Sequence, residues 1–174
     1  MEELDIMPGY NLNIALTTDE EMEPYSGLCY LADLGKLKAD YFLSMDGDSD
    51  DITIASNGNV DWQIDVFGRS YHSGSSFLGV NAIEKSIPVM NELMELKAKV
   101  ERRRSKVPAS AAISQKTGIE TLLPVLNITV INAGVKQNIV PDRCTLKGDR
   151  RFIPEEKYNE VCREFTDAIS NAKR

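Results

Sequence analysis

Three consecutive acidic residues, Asp19, Glu20 and Glu21, follow an apolar run and precede a turn towards Gly27. Adjacent carboxylates at the end of a strand can divide two tasks: one holds a metal ion while its neighbour acts as a general base. The same triplet is also what an acidic, solvated helix entry looks like. Asp46 closes a second apolar run in the same way. If the two runs are parallel strands, their ends share one edge of the sheet. Glu21 and Asp46 could then share a metal ion as oxygen ligands. The acidic stretch from Asp46 to Asp51 also admits a calcium loop, though it lacks the glutamate and spacing of an EF-hand, and it admits a plain solvated turn. His72, the single histidine of the chain, sits in the polar stretch GRSYHSG. It is a surface residue or a site residue, and it has no second imidazole with which to form a zinc-binding pair in this chain. Asn138 lies in a turn and Arg151 on the strand after it. A guanidinium grips a carboxylate through two parallel hydrogen bonds, and an amide adds a donor. Taken singly, each is equally a turn asparagine and an exposed strand arginine.

Composition narrows the partners. The 174 residues are 42% hydrophobic and 27% charged, with a formal net charge of -7. An acidic chain lacks the clustered cations that phosphate contacts need, so nucleic acid is not expected. The basic run Arg102–Arg104 reads as a solvated helix end. No apolar run approaches the ~20 residues that span a bilayer, so no membrane is expected. Met1 is followed by acidic residues, which does not resemble a signal peptide. Three widely spaced cysteines, Cys29, Cys144 and Cys162, form no CxxC pair, and reduced thiols in the cytoplasm are the simplest reading. Neither GxGxxG nor GxxxxGK[ST] occurs, and no GxSxG elbow accompanies the histidine, which argues against a phosphate loop and a serine hydrolase.

These residues need elements to hold them. Leu12–Leu16 and Ala39–Met45 read as buried strands flanking a short helix from Gly27 to Leu34 stopped by Gly35, a βαβ unit of a parallel sheet. From Val60 to Val66, Val, Trp, Ile and Val alternate with Asp, Gln and Asp, the pattern of a strand with one wet face. Residues 68–79 read as a polar loop. Asn81 to about Arg103 is helical by period, with Ile83, Ile87, Met90 and Met94 on one face and a kink expected at Pro88. Residues 106–120 read as a flexible loop. Val125–Ile131 and Cys144–Phe152 alternate again, and Pro154-Glu155-Glu156 reads as the first turn of a last helix. The order β-α-β-β-α is that of a ferredoxin-like split βαβ domain lacking its last strand. The expected class is therefore α/β: a partial parallel-sheet domain over 1–58 and an α+β domain over 59–174.

In order, TTDEE, a strand ending in MDG, GRSYHS, GVNAI, AGVKQNIVPD and GDRRFIP resemble the zinc peptidase and amidohydrolase family of acetylornithine deacetylase, succinyl-diaminopimelate desuccinylase, aminoacylase and glutamate carboxypeptidase. The likeness covers about Asn11 to Phe165. It implies a metal-dependent hydrolase of N-acyl amino acids or short peptides with a free carboxylate. It further implies two zinc ions, with cobalt or manganese as alternatives, and a homodimer paired through a lid domain, here 59–174. By the same resemblance Glu20 is the general base, Glu21 and Asp46 are metal ligands, and His72 is the lid histidine that polarises the scissile carbonyl, often in the partner subunit's site. Asn138 and Arg151 are the pair that grips the substrate carboxylate, and Gly79 and Asn81 open the first lid helix. The family's upstream His-x-Asp and downstream His ligands are absent, so the chain reads as an internal fragment, inactive alone. The alternative is a non-catalytic dimerisation or binding module.

Overall fold

A computed structural model describes residues 9–18, 27–45 and 54–173. The chain separates into two compact units, Met1–Asp50 and Asp51–Arg174.

In the first unit the only element among the described residues is helix α1, Leu28–Asp33. It ends as expected: Gly35 takes φ +65°, and the Gly35 and Lys36 N–H groups donate to the carbonyls of Ala32 and Leu31. The two flanking strands are not formed. Residues 11–18 and 42–45 carry no secondary structure, and Leu12, Ile14, Leu16, Phe42 and Leu43 are exposed. A strand buried in a parallel sheet exists only between paired neighbours and beneath covering helices.

The second unit is an antiparallel sheet with two long helices. Strand β1, Gly58–Phe67, is followed by a two-residue strand β2, Tyr71–His72, and by a 3-10 segment, Ser73–Leu78. Helix α2 is Ala82–Val100 and α3 is Ala111–Thr117. Strands β3, β4 and β5 are Val125–Ala133, Ile139–Val140 and Arg143–Phe152, and α4 is Tyr158–Asn171. The order in the main sheet is β1-β5-β3, with both pairings antiparallel, and β2 pairs with β4 in a separate ribbon. The first and third long strands are thus neighbours, as the split βαβ reading requires. Gly148 allows the tight β3–β5 approach: a Cβ there would stand 1.8 Å from the Asn127 carbonyl oxygen. The ladder slips register between Ile128 and Val130.

One face of the sheet meets the helices. Cys144 and Leu146 of β5, Leu126 of β3, Leu93, Leu96 and Val100 of α2, and Val161 and Phe165 of α4 form the core. Trp62 of β1 packs on Phe165 with ring centroids 5.6 Å apart. The alternation on β1 is the one expected, with Val60, Trp62, Ile64 and Val66 turned to that core.

Three expectations change. Helix α2 buries Ala82, Ser86, Leu93, Leu96 and Val100, whereas Ile83, Ile87 and Met94 are exposed and Met90 is half-buried. Of the stripe picked out by period, only Met90 packs against the core. The helix is continuous through Pro88, which is exposed. The segment 106–120 contains α3, capped by the Ser110 hydroxyl at the Ile113 N–H and ended by Gly118 in the left-handed region. Finally, α4 starts at Tyr158, because Pro154–Glu156 form a turn whose carboxylates bond elsewhere in the fold.

Candidate functional site

Glu20, Glu21 and Asp46, with the rest of the acidic run to Asp51, lie outside the described residues. Among the described residues no group of three or more His, Cys, Asp or Glu side chains could hold a metal ion. His72, Asn138 and Arg151, the residues expected in a lid, are among the described residues.

His72 and Asn138 come together. His72 lies on β2 opposite Ile139 of β4, and the Ser73 N–H donates to the Asn138 carbonyl at 3.0 Å. The ribbon is anchored to the body of the unit at both ends. Gly68 N–H donates to the Asp142 carbonyl at 2.8 Å, and Ala82 N–H to the Pro141 carbonyl at 2.9 Å. Arg69 and Val80 exchange a pair of backbone bonds. Gly68 is needed for this closure, since a Cβ would meet the Val80 carbonyl oxygen at 2.1 Å. Asn81 then opens α2: its Oδ1 accepts from the Ile83 and Glu84 N–H groups, and its Nδ2 donates to Glu84. This reciprocal cap holds the far end of the loop. His72 is exposed, and its Nδ1 accepts from the Gly74 N–H at 3.1 Å. Asn138 Oδ1 is buried and finds no hydrogen-bond partner among the described residues.

Arg151 stands elsewhere. It pairs with Asn59 of β1 and Val125 of β3, near the end of β5. Its side chain is half-exposed, with Nε 3.5 Å from Asp149 Oδ2. The ribbon joins the sheet near Arg143, at the other end of β5. Arg151 is eight residue steps along the strand from Arg143, about 26 Å at the rise of an extended chain. The polar ends of His72, Asn138 and Arg151 therefore do not converge within one copy of the chain. Arg151 lies on the wet face, while His72 and Asn138 lie on the ribbon rather than on the sheet.

The wet face near the ribbon is polar. A shallow hollow is lined by Gln63, Asn132, Arg143, Thr145 and Lys147. Beside it Asp65 accepts from Thr145 Oγ1 at 2.6 Å, from Gln63 Nε2 at 2.8 Å and from Arg143. The hydrogen bond from Thr145, then that from Gln63, hold its carboxyl down at about 2.

The residues that sequence reasoning passed over form a second ionic cluster. Arg150 is fully buried, and its Nη2 lies 2.6 Å from Glu156 Oε1. Arg103 reaches the same oxygen at 2.5 Å and Glu164 Oε1 at 2.5 Å. Arg103 is therefore a structural cation and not part of a solvated helix end. Burial pushes the Glu156 carboxyl up, but hydrogen bonds from Arg103, Arg150 and the Ile153 N–H outweigh it and leave it below the ordinary glutamate value. Next to it, Glu155 accepts from the Ser105 hydroxyl and the Lys106 N–H, tying the strap after α2 to the turn after β5. Strand parity carried the signal for Arg150: it shares the inward register of Cys144 and Leu146.

Residues 54–174 match the family model described as the peptidase dimerisation domain. The chain is 25% identical over 182 residues to a probable succinyl-diaminopimelate desuccinylase of Staphylococcus aureus, covering 98% of this chain and 44% of that protein. It is 27% identical over 139 residues to an acetylornithine deacetylase of Buchnera aphidicola, covering 80% of this chain and 34% of that protein. The fold resembles that of an M20 family metallo-carboxypeptidase from Sulfolobus solfataricus, with TM-score 0.60 and 16% identity over 83% of this chain and 49% of that one. The chain spans less than half the length of these relatives.

Proposed function

Because this chain belongs to the peptidase dimerisation domain family through residues 54–174, we propose that it supplies the lid, and part of the catalytic domain, of a metal-dependent amidohydrolase or peptidase. The substrates are N-acyl amino acids or short peptides with a free carboxylate. The family resemblance and the desuccinylase and deacetylase relatives support this reading.

In this reading a pair of divalent metal ions, zinc with cobalt or manganese as alternatives, would supply the Lewis-acid chemistry for activating water and polarising the scissile carbonyl. Glu21 and Asp46 supply carboxylates towards it, and Glu20 takes the proton of the attacking water and returns it to the leaving amine. The described residues contain no part of that centre, so its geometry contributes nothing to the roles of the lid. Those roles are two. His72 donates a hydrogen bond to the carbonyl oxygen as negative charge develops there. Arg151 binds the substrate carboxylate.

The separation of the His72–Asn138 ribbon from Arg151 along β5 is the observation that carries the proposal. One small substrate cannot bridge it, so the groups that meet at one site come from two copies. We therefore assign His72 and Asn138 of one copy to the site that Arg151 of the other completes. Two surfaces suit a second copy: the free edge of β3, with Val130 and Ile131 exposed, and the outward stripe Ile83, Ile87 and Met94 of α2. An uncovered strand edge is a template for pairing, and a twofold dimer would cover both copies alike. The free thiols Cys29, Cys144 and Cys162 agree with a reducing cytoplasmic setting.

Mixed dimers test this. His72→Ala and Arg151→Ala are each introduced into the intact enzyme, and the two inactive products are dissociated and reassociated together. Sites shared between copies regain activity, because half the sites of a mixed dimer hold both residues. Sites confined to one copy regain none, and that result overturns the assignment.

A further inference from the structure

The geometry points to Gly74 as a positioning residue that sets the proton of His72: its backbone N–H holds Nδ1 as an acceptor and leaves Nε2 as an outward N–H donor. The inference deepens the role proposed for His72, but its evidence and its test stand apart from catalysis.

A neutral imidazole carries one proton, and whichever nitrogen accepts a hydrogen bond cannot be the one that bears it. Gly74 N donates to His72 Nδ1 at 3.1 Å. The histidine thereby occupies the N-cap position of the 3-10 segment Ser73–Leu78, with extended backbone at φ -67° and ψ 135°. Serine, threonine, asparagine and aspartate are the usual caps, and each would satisfy the same N–H through a short side chain. Histidine does so while projecting a second nitrogen outward. In a purely structural cap that second nitrogen is superfluous. Here it belongs to an exposed residue at the tip of an anchored ribbon.

Three contacts hold the donor in place. The His72 backbone is paired with Ile139, the next residue donates its N–H to the Asn138 carbonyl, and Gly79 N–H closes the segment on the Ser76 carbonyl at 2.9 Å. The ring lies close over residue 74: a Cβ there would stand 3.3 Å from Nδ1 and 3.6 Å from Cε1. A Cβ there would require the ring to give by a few tenths of an ångström, so glycine leaves the contact at its present distance. The acceptor that fits the outward N–H is a carbonyl oxygen or the oxyanion derived from it. A neutral, oriented donor stabilises that charge without itself losing a proton.

His72 is the only histidine in the chain, so its ring signals are assigned without ambiguity. The test is long-range nitrogen–proton correlation on the nitrogen-15-labelled chain at pH about 9, above the range in which imidazoles titrate. Nδ1 is expected to be pyridine-like and Nε2 pyrrole-like, with a scalar coupling across the hydrogen bond from the Gly74 amide nitrogen to Nδ1. Gly74→Pro removes the donor and is expected to abolish the coupling and shift the ring towards a mixture of tautomers. Cross-strand amide contacts between Tyr71 and Val140 confirm that the ribbon persists. A pyrrole-like Nδ1, or an absent coupling in the unaltered chain with the ribbon intact, overturns the inference. If mixed dimers regain no activity but the coupling is seen, the assignment of His72 to a partner's site fails and the tautomer lock stands.

Discussion

Replacing Glu156 by glutamine tests the buried ionic cluster directly. Arg150 is fully buried, and Glu156 is its closest carboxylate at 2.6 Å. Its Nε has no acceptor among the described residues, although an Nη also donates to the Arg151 carbonyl. Glutamine keeps the shape and an oxygen but removes the charge facing two guanidinium groups. Breaking a buried ion pair by removing one partner costs about 3–5 kcal/mol. Glu164 Oε2 remains 3.8 Å from Arg150, which places the loss near the lower end, about 3 kcal/mol. For a unit of this size that is about 10 °C in Tm. Urea unfolding followed by circular dichroism measures it, and the slope m should not change. The loss should also depend on pH. The folded-state pKa of Glu156 lies below its unfolded value. Its contribution is therefore complete above the ordinary glutamate value and disappears as pH falls through the folded one, so the two proteins should converge in acid. The exposed pair Lys157–Glu160, at 3.7 Å, is the control, and Glu160→Gln should cost less than about 0.5 kcal/mol. A loss below about 1 kcal/mol for Glu156→Gln, or one that persists unchanged at low pH, refutes the reasoning.

Four further outcomes are expected. Leu146→Ala, at a fully buried position on the central strand, should lower stability by about 2–5 kcal/mol in the same denaturation assay. Carboxyl-detected NMR titration should place Asp65 at about 2, its contribution being present above the unfolded aspartate value and lost as pH falls through about 2; Thr145→Val should move that titration upward. Sedimentation over a range of concentrations should show self-association, and Ile131→Lys on the exposed part of β3 should weaken it at least tenfold, whereas no change would exclude that edge as the contact. The purified chain, supplied with zinc or cobalt, should show no turnover of N-acetyl or N-succinyl amino acids, and turnover abolished by a chelator would show that its ligand set is more complete than the sequence indicates.

The elements of the second unit were legible because each rests on local chemistry. Alternation from Val60 to Val66 states which face of a strand is wet, and Asn81 declares a helix start through a side chain that bonds its own next turn. The order of long strands and helices then leaves few topologies, and the adjacency of β1 and β5 follows from the split βαβ pattern. Helix α3 was also written in the sequence, by Ser110 and Gly118, but its small polar residues hid the period. What the sequence left undetermined are choices between equivalent local options. On α2, Ile83-Ile87-Met94 and Ala82-Ser86-Leu93 are adjacent stripes of similar period, and only the position of the sheet decides which is buried. On β5, Arg150 and Arg151 are the same residue type one step apart. Strand parity turns one into the core, where Glu156 and Glu164 from the turn and α4 neutralise it, and leaves the other in water. His72, Asn138 and Arg151 suit one substrate by their chemistry. Their distances depend on where the β2–β4 ribbon joins the sheet, and that is set by contacts such as Gly68–Asp142 and Ala82–Pro141, 74 and 59 positions apart, which no local pattern encodes.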